Sequence, residues 1–177
     1  MYAKSIAQPK GKMYYITNVP DRIDTREAVL NGMKRSVLYM VRLPGPVIGV
    51  TGMKYLGTHL KRWPEKYGDK KAARYLGQIV RMQEEIGTGG AGFRFLYAAF
   101  LQEAAQLLQI EALDSLAVKM TATGDKWRDF AVAAGRLCKG RELTESYEKT
   151  GDLLIEIAAE EKEIFQTLGE IVRKAKK

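Results

Sequence analysis

The strongest hydrophobic pattern in the chain follows a glycine-rich stretch. Gly87 to Leu108 reads GTGGAGFRFLYAAFLQEAAQLL, with four glycines between positions 87 and 92. Beyond them Phe93, Leu96, Tyr97, Phe100, Leu101, Ala104, Leu107 and Leu108 recur at the spacing of one helix face. Phe95, Ala98, Ala99 and Ala105 widen that face, and only Arg94, Gln102, Glu103 and Gln106 are clearly polar. A helix apolar over most of its circumference is buried by other helices. The pattern therefore predicts a helix over residues 93–108 at the centre of a bundle.

The same periodicity predicts helices on either side. Asp24 followed by Glu27 resembles a capping box, and the helix it opens carries Ala28, Val29, Met33, Val37, Met40 and Val41. Pro44, Gly45 and Pro46 stop it. A shorter helix spans about 48–60 and is closed by Arg62-Trp63-Pro64. A third opens at Asp69 with Ala72, Tyr75, Leu76, Ile79, Val80 and Ile86 on one face. After 93–108, a long helix runs to about Cys138, and a last one covers about 142–174. Gly124 inside the first of these marks a close helix crossing or a kink, since glycine costs about 1 kcal/mol there relative to alanine. Before all of these, Met13 to Thr17 is rich in strand formers. It must pack on the helices as an extended segment or pair with something outside this sequence. The expected fold is all-α: a flexible lead-in over 1–12, then one helical domain over 13–177 with about six helices and a short extended segment at its start.

Composition narrows the chemistry. The chain has 177 residues, one cysteine and one histidine, which excludes a disulfide framework, a cysteine metal cluster and the usual zinc constellations. It shows no membrane-length apolar run and no signal-peptide core, so a cytoplasmic, reducing context is expected. No cofactor is expected. The net charge of +8 is concentrated in the first half: residues 1–87 hold 16 Lys/Arg against 7 Asp/Glu, and residues 88–177 hold 13 against 14. Such an excess favours an acidic partner, or is a solvated basic surface.

Candidate chemistry is sparse. Cys138 and His59 are the only Cys–His nucleophile pair the chain could form, and nothing in the pattern places them together. A half-buried thiol and a surface imidazole are the simpler expectation. Asp125 with Asp129, and Glu156, Glu160 and Glu163, have spacings that could hold a divalent ion, though such carboxylates usually pair with nearby bases. Glu103, on a helix expected to be buried, needs a partner such as Lys119 or Arg128, or else faces a cleft. Tyr55, Trp63 and Tyr67 interleave with Lys54, Lys61, Arg62 and Lys66, as in single-strand nucleic-acid binders, but without a recognition motif. The glycine loop Gly87, Thr88, Gly89, Gly90 and Gly92 is a tight helix-to-helix turn or an anion cradle. Arg94 opposes the helix dipole and so calls for a carboxylate, Glu84, Glu85 or Glu103, or for a bound anion.

The loop and helix together resemble the C-terminal helical domain of proteins similar to butirosin biosynthesis protein H. The matching residues are Gly87 to Gly90, Phe93-Arg94, Tyr97, Phe100-Leu101 and Glu103 to Ala105. Weaker matches are Arg62-Trp63-Pro64, Gly124 to Trp127 and Leu154 to Ala158. In that family a papain-like N-terminal region supplies a Cys–His–Asp constellation, and acyl groups pass from a carrier-protein thioester to an amine of a small molecule. The resemblance implies an accessory domain without its own catalytic residues. Its expected partners are a papain-like domain on the same or a separate chain, an acidic acyl carrier protein and a small-molecule amine; a homodimer is compatible with it. The positions it marks for ligand binding are Gly87, Thr88, Gly89, Gly90, Arg94, Tyr97 and Glu103, with no metal site. The rival reading is a basic nucleic-acid-binding or protein-interaction domain.

Overall fold

The computed structural model describes residues 15–19, 21–87, 89–140 and 145–175, and among them every regular element is helical. The helices are α1 (Thr25–Val37), α2 (Gly49–Leu60), α3 (Trp63–Tyr67), α4 (Asp69–Glu84), α5 (Arg94–Leu108), α6 (Ala112–Lys139) and α7 (Tyr147–Ala175). A π turn, Leu38–Arg42, extends α1, and a 3-10 turn, Ala91–Phe93, leads into α5. The element that periodicity does not announce is α3, a five-residue helix with Pro64 in its first turn, where proline's missing N–H costs nothing. Asp24 caps α1 as its sequence suggests, accepting a hydrogen bond from the Glu27 amide at 3.0 Å.

Residues 93–108 are not the hub of the bundle. That place belongs to α6 and α7, which pack on each other while α6 also meets α4 and α5, and α7 meets α1 and α2. On α5 only Ala98, Leu101, Ala104, Ala105 and Leu108 are buried, and Phe93, Leu96 and Leu107 are each about half exposed at 51%, 58% and 49%. An apolar helix can flank a core as well as fill it, and composition alone does not separate the two. Tyr15 to Thr17 form no strand, and Tyr15 and Ile16 stand 75% and 82% exposed instead of packing on the helices. Met13, Tyr14 and the lead-in lie outside the described residues.

The core has two lobes along the α6–α7 pair. Leu113, Leu116 and Met120 from the first half of α6 meet Phe165, Leu168 and Val172 from the second half of α7, with α1 and α5 closing over them. Trp127, Phe130 and Ala134 meet Leu154 and Ile157 in the other lobe, with Leu60 and Leu76 added from α2 and α4. The crossed halves mean that α6 and α7 run antiparallel. No helix among the described residues is long and apolar enough to cross a membrane.

Glycines set two of the helix contacts. A Cβ on Gly124 would lie 2.8 Å from the Phe95 ring, so the glycine marks a close crossing of α5 over α6. At Gly57 and Gly151 backbone meets backbone: a Cβ on either would fall 2.7 Å or 2.5 Å from the carbonyl oxygen of the other. Neither carbonyl can swing away as a side chain could. Gly57→Ala and Gly151→Ala are therefore expected to cost about 1–3 kcal/mol each by overpacking. Gly135→Ala, where a Cβ meets nothing within 4 Å, is expected to be neutral or stabilising. Thermal melts of the three variants, followed by circular dichroism, check this contrast.

Candidate functional site

Arg94 opens α5 and turns inward to the last helix. Its Nε and one terminal nitrogen donate to the two oxygens of Glu161, at 2.7 and 3.0 Å. The Trp127 indole N–H donates to the same carboxylate at 2.7 Å, and the guanidinium lies over the Trp127 ring, 4.7 Å from its centre. Glu161 is fully buried, at 0% exposure, and sits between the two apolar lobes. Three donated bonds and one adjacent cation are what a carboxylate needs in that position. The partner of Arg94 is thus Glu161, and not Glu84, Glu85 or Glu103.

The glycine loop holds an anion of the chain's own. The Glu84 carboxylate accepts from the Ala91 amide at 2.9 Å and from the Gln83 side chain at 3.2 Å. Gln83 in turn donates to the Trp127 carbonyl at 2.8 Å, tying the loop to α6. Gly87, Gly89, Gly90 and Gly92 all have positive φ, between 54° and 87°. Ala91 and Phe93 share that region at 49° and 70°, which for residues with a Cβ is strained and persists only where the surroundings enforce it. Here the enforcing contacts are the Glu84 bond to Ala91 and the Arg94 bond to the Gly92 carbonyl, at 2.9 Å. A Cβ at Gly92 would meet that guanidinium at 2.8 Å, so a larger residue there would push Arg94 off the position it holds. Thr88 lies outside the described residues.

Tyr97 stands one turn further along α5. Its ring packs on Phe100 and Phe165, with centroids 5.5 and 5.6 Å away. Its hydroxyl is buried without a hydrogen-bond partner among the described residues. Burial pushes the phenol above its ordinary value, and the nearby Ser36 hydroxyl offsets this only in part. A cavity of about 510 Å³ adjoins Tyr97, Arg94 and Glu161. Glu103 does not belong to this group: it is exposed on α5 and makes no ion pair with Lys119 or Arg128.

The other candidates separate. His59 is exposed on α2, stacked on Tyr55 with ring centroids 3.8 Å apart and bonded through Nδ1 to the Tyr55 carbonyl at 2.8 Å. Cys138 lies on α6 against α4, with its thiol on the Ala73 carbonyl at 3.2 Å. No hydrogen bond joins the two. Glu156 and Glu160 are both held by Lys126, whose pKa is raised first by its bond to Glu156 and then by its bond to Glu160. Glu156 and Glu160 of the α7 acidic stripe are thereby ion-paired.

A second concavity, of about 720 Å³, lies along α2 and α3. Tyr55, His59, Trp63 and Tyr67 supply aromatic walls, and the charged groups are the cations Arg62 and Lys66 with one acid, Glu65. Trp63, Tyr67 and Tyr75 meet edge to face at 5.4–6.4 Å, and Lys71 lies 5.6 Å from the centres of the Tyr67 and Tyr75 rings. From Gly49 to Glu84 the sequence carries eight Lys/Arg and three Asp/Glu. Lys61 pairs with Asp152 and Arg81 with Glu85, while Lys54, Arg62, Lys66, Lys70, Lys71 and Arg74 form no ion pair among the described residues.

Sequence reasoning missed Glu161, although a signal was present. Leu154, Ile157, Ala158, Ile164, Phe165 and Leu168 define the apolar face of α7, and position 161 falls on it by spacing. A carboxylate in an apolar stripe requires a buried cation or donors. Trp127 is part of the core, and its N–H is a second donor to that carboxylate.

Two outcomes follow from this geometry. Arg94→Ala leaves Glu161 buried without its cation and is expected to cost about 3–5 kcal/mol. Chemical denaturation of this variant beside Glu161→Gln, which retains an acceptor for Trp127 and loses less, measures it. Burial raises the Cys138 thiol above its ordinary value, so the thiolate is scarce at neutral pH. Iodoacetamide at pH 8 should alkylate Cys138 more slowly in the folded protein than in urea, and the folded rate should climb only as pH rises past the ordinary thiol range.

No curated protein and no solved structure matches the chain. One family model does, over residues 1–168, which is nearly the whole sequence. By that match the chain belongs to the family described as domain of unknown function (DUF4872).

Proposed function

We propose that this chain is the helical accessory domain of an acyltransferase similar to butirosin biosynthesis protein H, and that it recognises the acyl carrier protein while another domain supplies the nucleophile. The observation that carries this reading is the basic, aromatic-walled groove along α2 and α3. Of the six cations between residues 49 and 84 that form no ion pair among the described residues, Arg62 and Lys66 line it, so their charge remains available to an acidic partner. A carrier protein is acidic and bears a phosphopantetheine arm, whose phosphate suits Arg62 and Lys66 at the groove. Complementary charge also speeds encounter. Cys138, with a raised thiol pKa and its hydrogen bond to the Ala73 carbonyl, is poorly suited to accept an acyl group.

A second reading is favoured by the same aromatic rings. Tyr55, Trp63 and Tyr67 beside lysines could stack the bases of a single strand. The two readings part in a binding experiment. An acidic acyl carrier protein is titrated with and without its phosphopantetheine arm, beside a thymidine oligonucleotide of equal charge. The expected result is saturable carrier binding that weakens with salt, is tighter with the arm, and falls at least about tenfold in a paired Arg62→Glu, Lys66→Glu variant. Oligonucleotide binding without carrier binding would replace this function with the nucleic-acid one.

A further inference from the structure

The cavity beside Tyr97 is a separate feature from the basic groove, and neither the fold nor the proposed carrier surface uses it. It lies between α1, the π turn, α5, α6 and α7, and its volume of about 510 Å³ is in the range of small-molecule sites. Its walls are apolar and deformable: Met40, Met120 and Phe165, with the Tyr39 ring at the mouth. Its floor is the Arg94–Glu161 pair, in which the cation is already neutralised.

Besides that pair, the polar lining includes Arg35, Ser36 and Tyr97. Arg35 lines the cavity from the last turn of α1, is exposed, and forms no ion pair among the described residues. Ser36 follows it, with its hydroxyl donating to the Gly32 carbonyl at 3.2 Å. The Tyr97 hydroxyl is buried, with no hydrogen-bond partner among the described residues. An unsatisfied hydroxyl in such a place costs stability, commonly about 1–3 kcal/mol, and its persistence calls for an explanation. Its raised pKa keeps it protonated, and therefore a donor, at neutral pH. The π turn beside it is a helical irregularity of a kind often met at functional sites.

We infer that this cavity binds a small amphipathic carboxylate, its head taken by Arg35 and the Tyr97 hydroxyl and its apolar body lying against Met40, Met120 and Phe165. One cation and one neutral donor match a single carboxylate. A phosphate would find too little charge, and an amine would meet Arg35 unfavourably. The apolar walls exclude a fully polar ligand.

The test uses octanoate as probe and octanol as its neutral counterpart, each titrated into the isotopically labelled full chain and followed by amide NMR shifts. Octanoate should produce saturable shifts at Ser36, Tyr39, Gly92 and Tyr97, and octanol should bind at least about tenfold more weakly. Arg35→Ala and Tyr97→Phe should each weaken octanoate by a similar factor. Tyr97→Phe should melt at or above the parent temperature, because it removes only an unpaired hydroxyl. Equal binding of octanol, shifts confined to α2–α4, unchanged affinity in both variants, or no saturable shifts at millimolar octanoate would each overturn the proposal. A Tyr97→Phe variant that melts well below the parent would assign the hydroxyl to the fold and would overturn it too. Carrier binding through Arg62 and Lys66 is read on other residues, so either proposal can fail alone.

Discussion

One buried carboxylate organises this molecule. Glu161 lies where the two apolar lobes of the core meet, and it draws together α5 through Arg94 and α6 through Trp127. An ion pair in such a place is weak evidence of added stability, because desolvation of both charges offsets much of their attraction. What it supplies is geometry. A carboxylate accepts from few directions, so the indole N–H and the guanidinium fork define how α5 and α6 sit against α7. Apolar side chains alone would tolerate several registers.

The loop before α5 is built to deliver that arginine. Positive φ at six residues in sequence from Gly87 to Phe93, setting aside position 88, turns the chain sharply enough for Arg94 to face inward in the first helical turn. Glu84 closes the loop from behind by accepting the Ala91 amide, and Arg94 closes it from in front by bonding the Gly92 carbonyl. A cation at a helix N-terminus is unfavourable by itself. Glu161 answers it, at bonding distance and with water excluded. The glycines thus serve the fold directly: they bring an arginine to a carboxylate on the far helix.

This arrangement leaves the chemistry at the edges of the bundle. Among the described residues, the basic face of α2–α4 keeps cations that form no ion pair, and the cavity under α1 keeps a cation and a hydroxyl with no hydrogen-bond partner. Both features suit binding. His59 and Cys138, the one Cys–His pair in the sequence, are engaged in local bonds on different elements.

Helix content was legible in the sequence because periodicity reports burial of one face, and long helices repeat that signal many times. The Asp24 cap, the Pro44–Pro46 stop and the close approach at Gly124 were legible for the same local reason: each depends on backbone sterics near one residue. Which helix is central was not. The apolar face of α5 suggested a hub, yet α6 and α7 hold that place, since amphipathicity says that a face is covered and not by how much. The pairing of Arg94 was half legible: the cation's position demanded a carboxylate, and Glu161 stood conspicuously on the apolar stripe of α7. Joining them took the tertiary structure, because the partners are 67 positions apart and helix packing alone decides which polar exceptions on distant faces meet. The Tyr97 cavity was invisible for a related reason: it is bounded by four helices, and no stretch of sequence contains it.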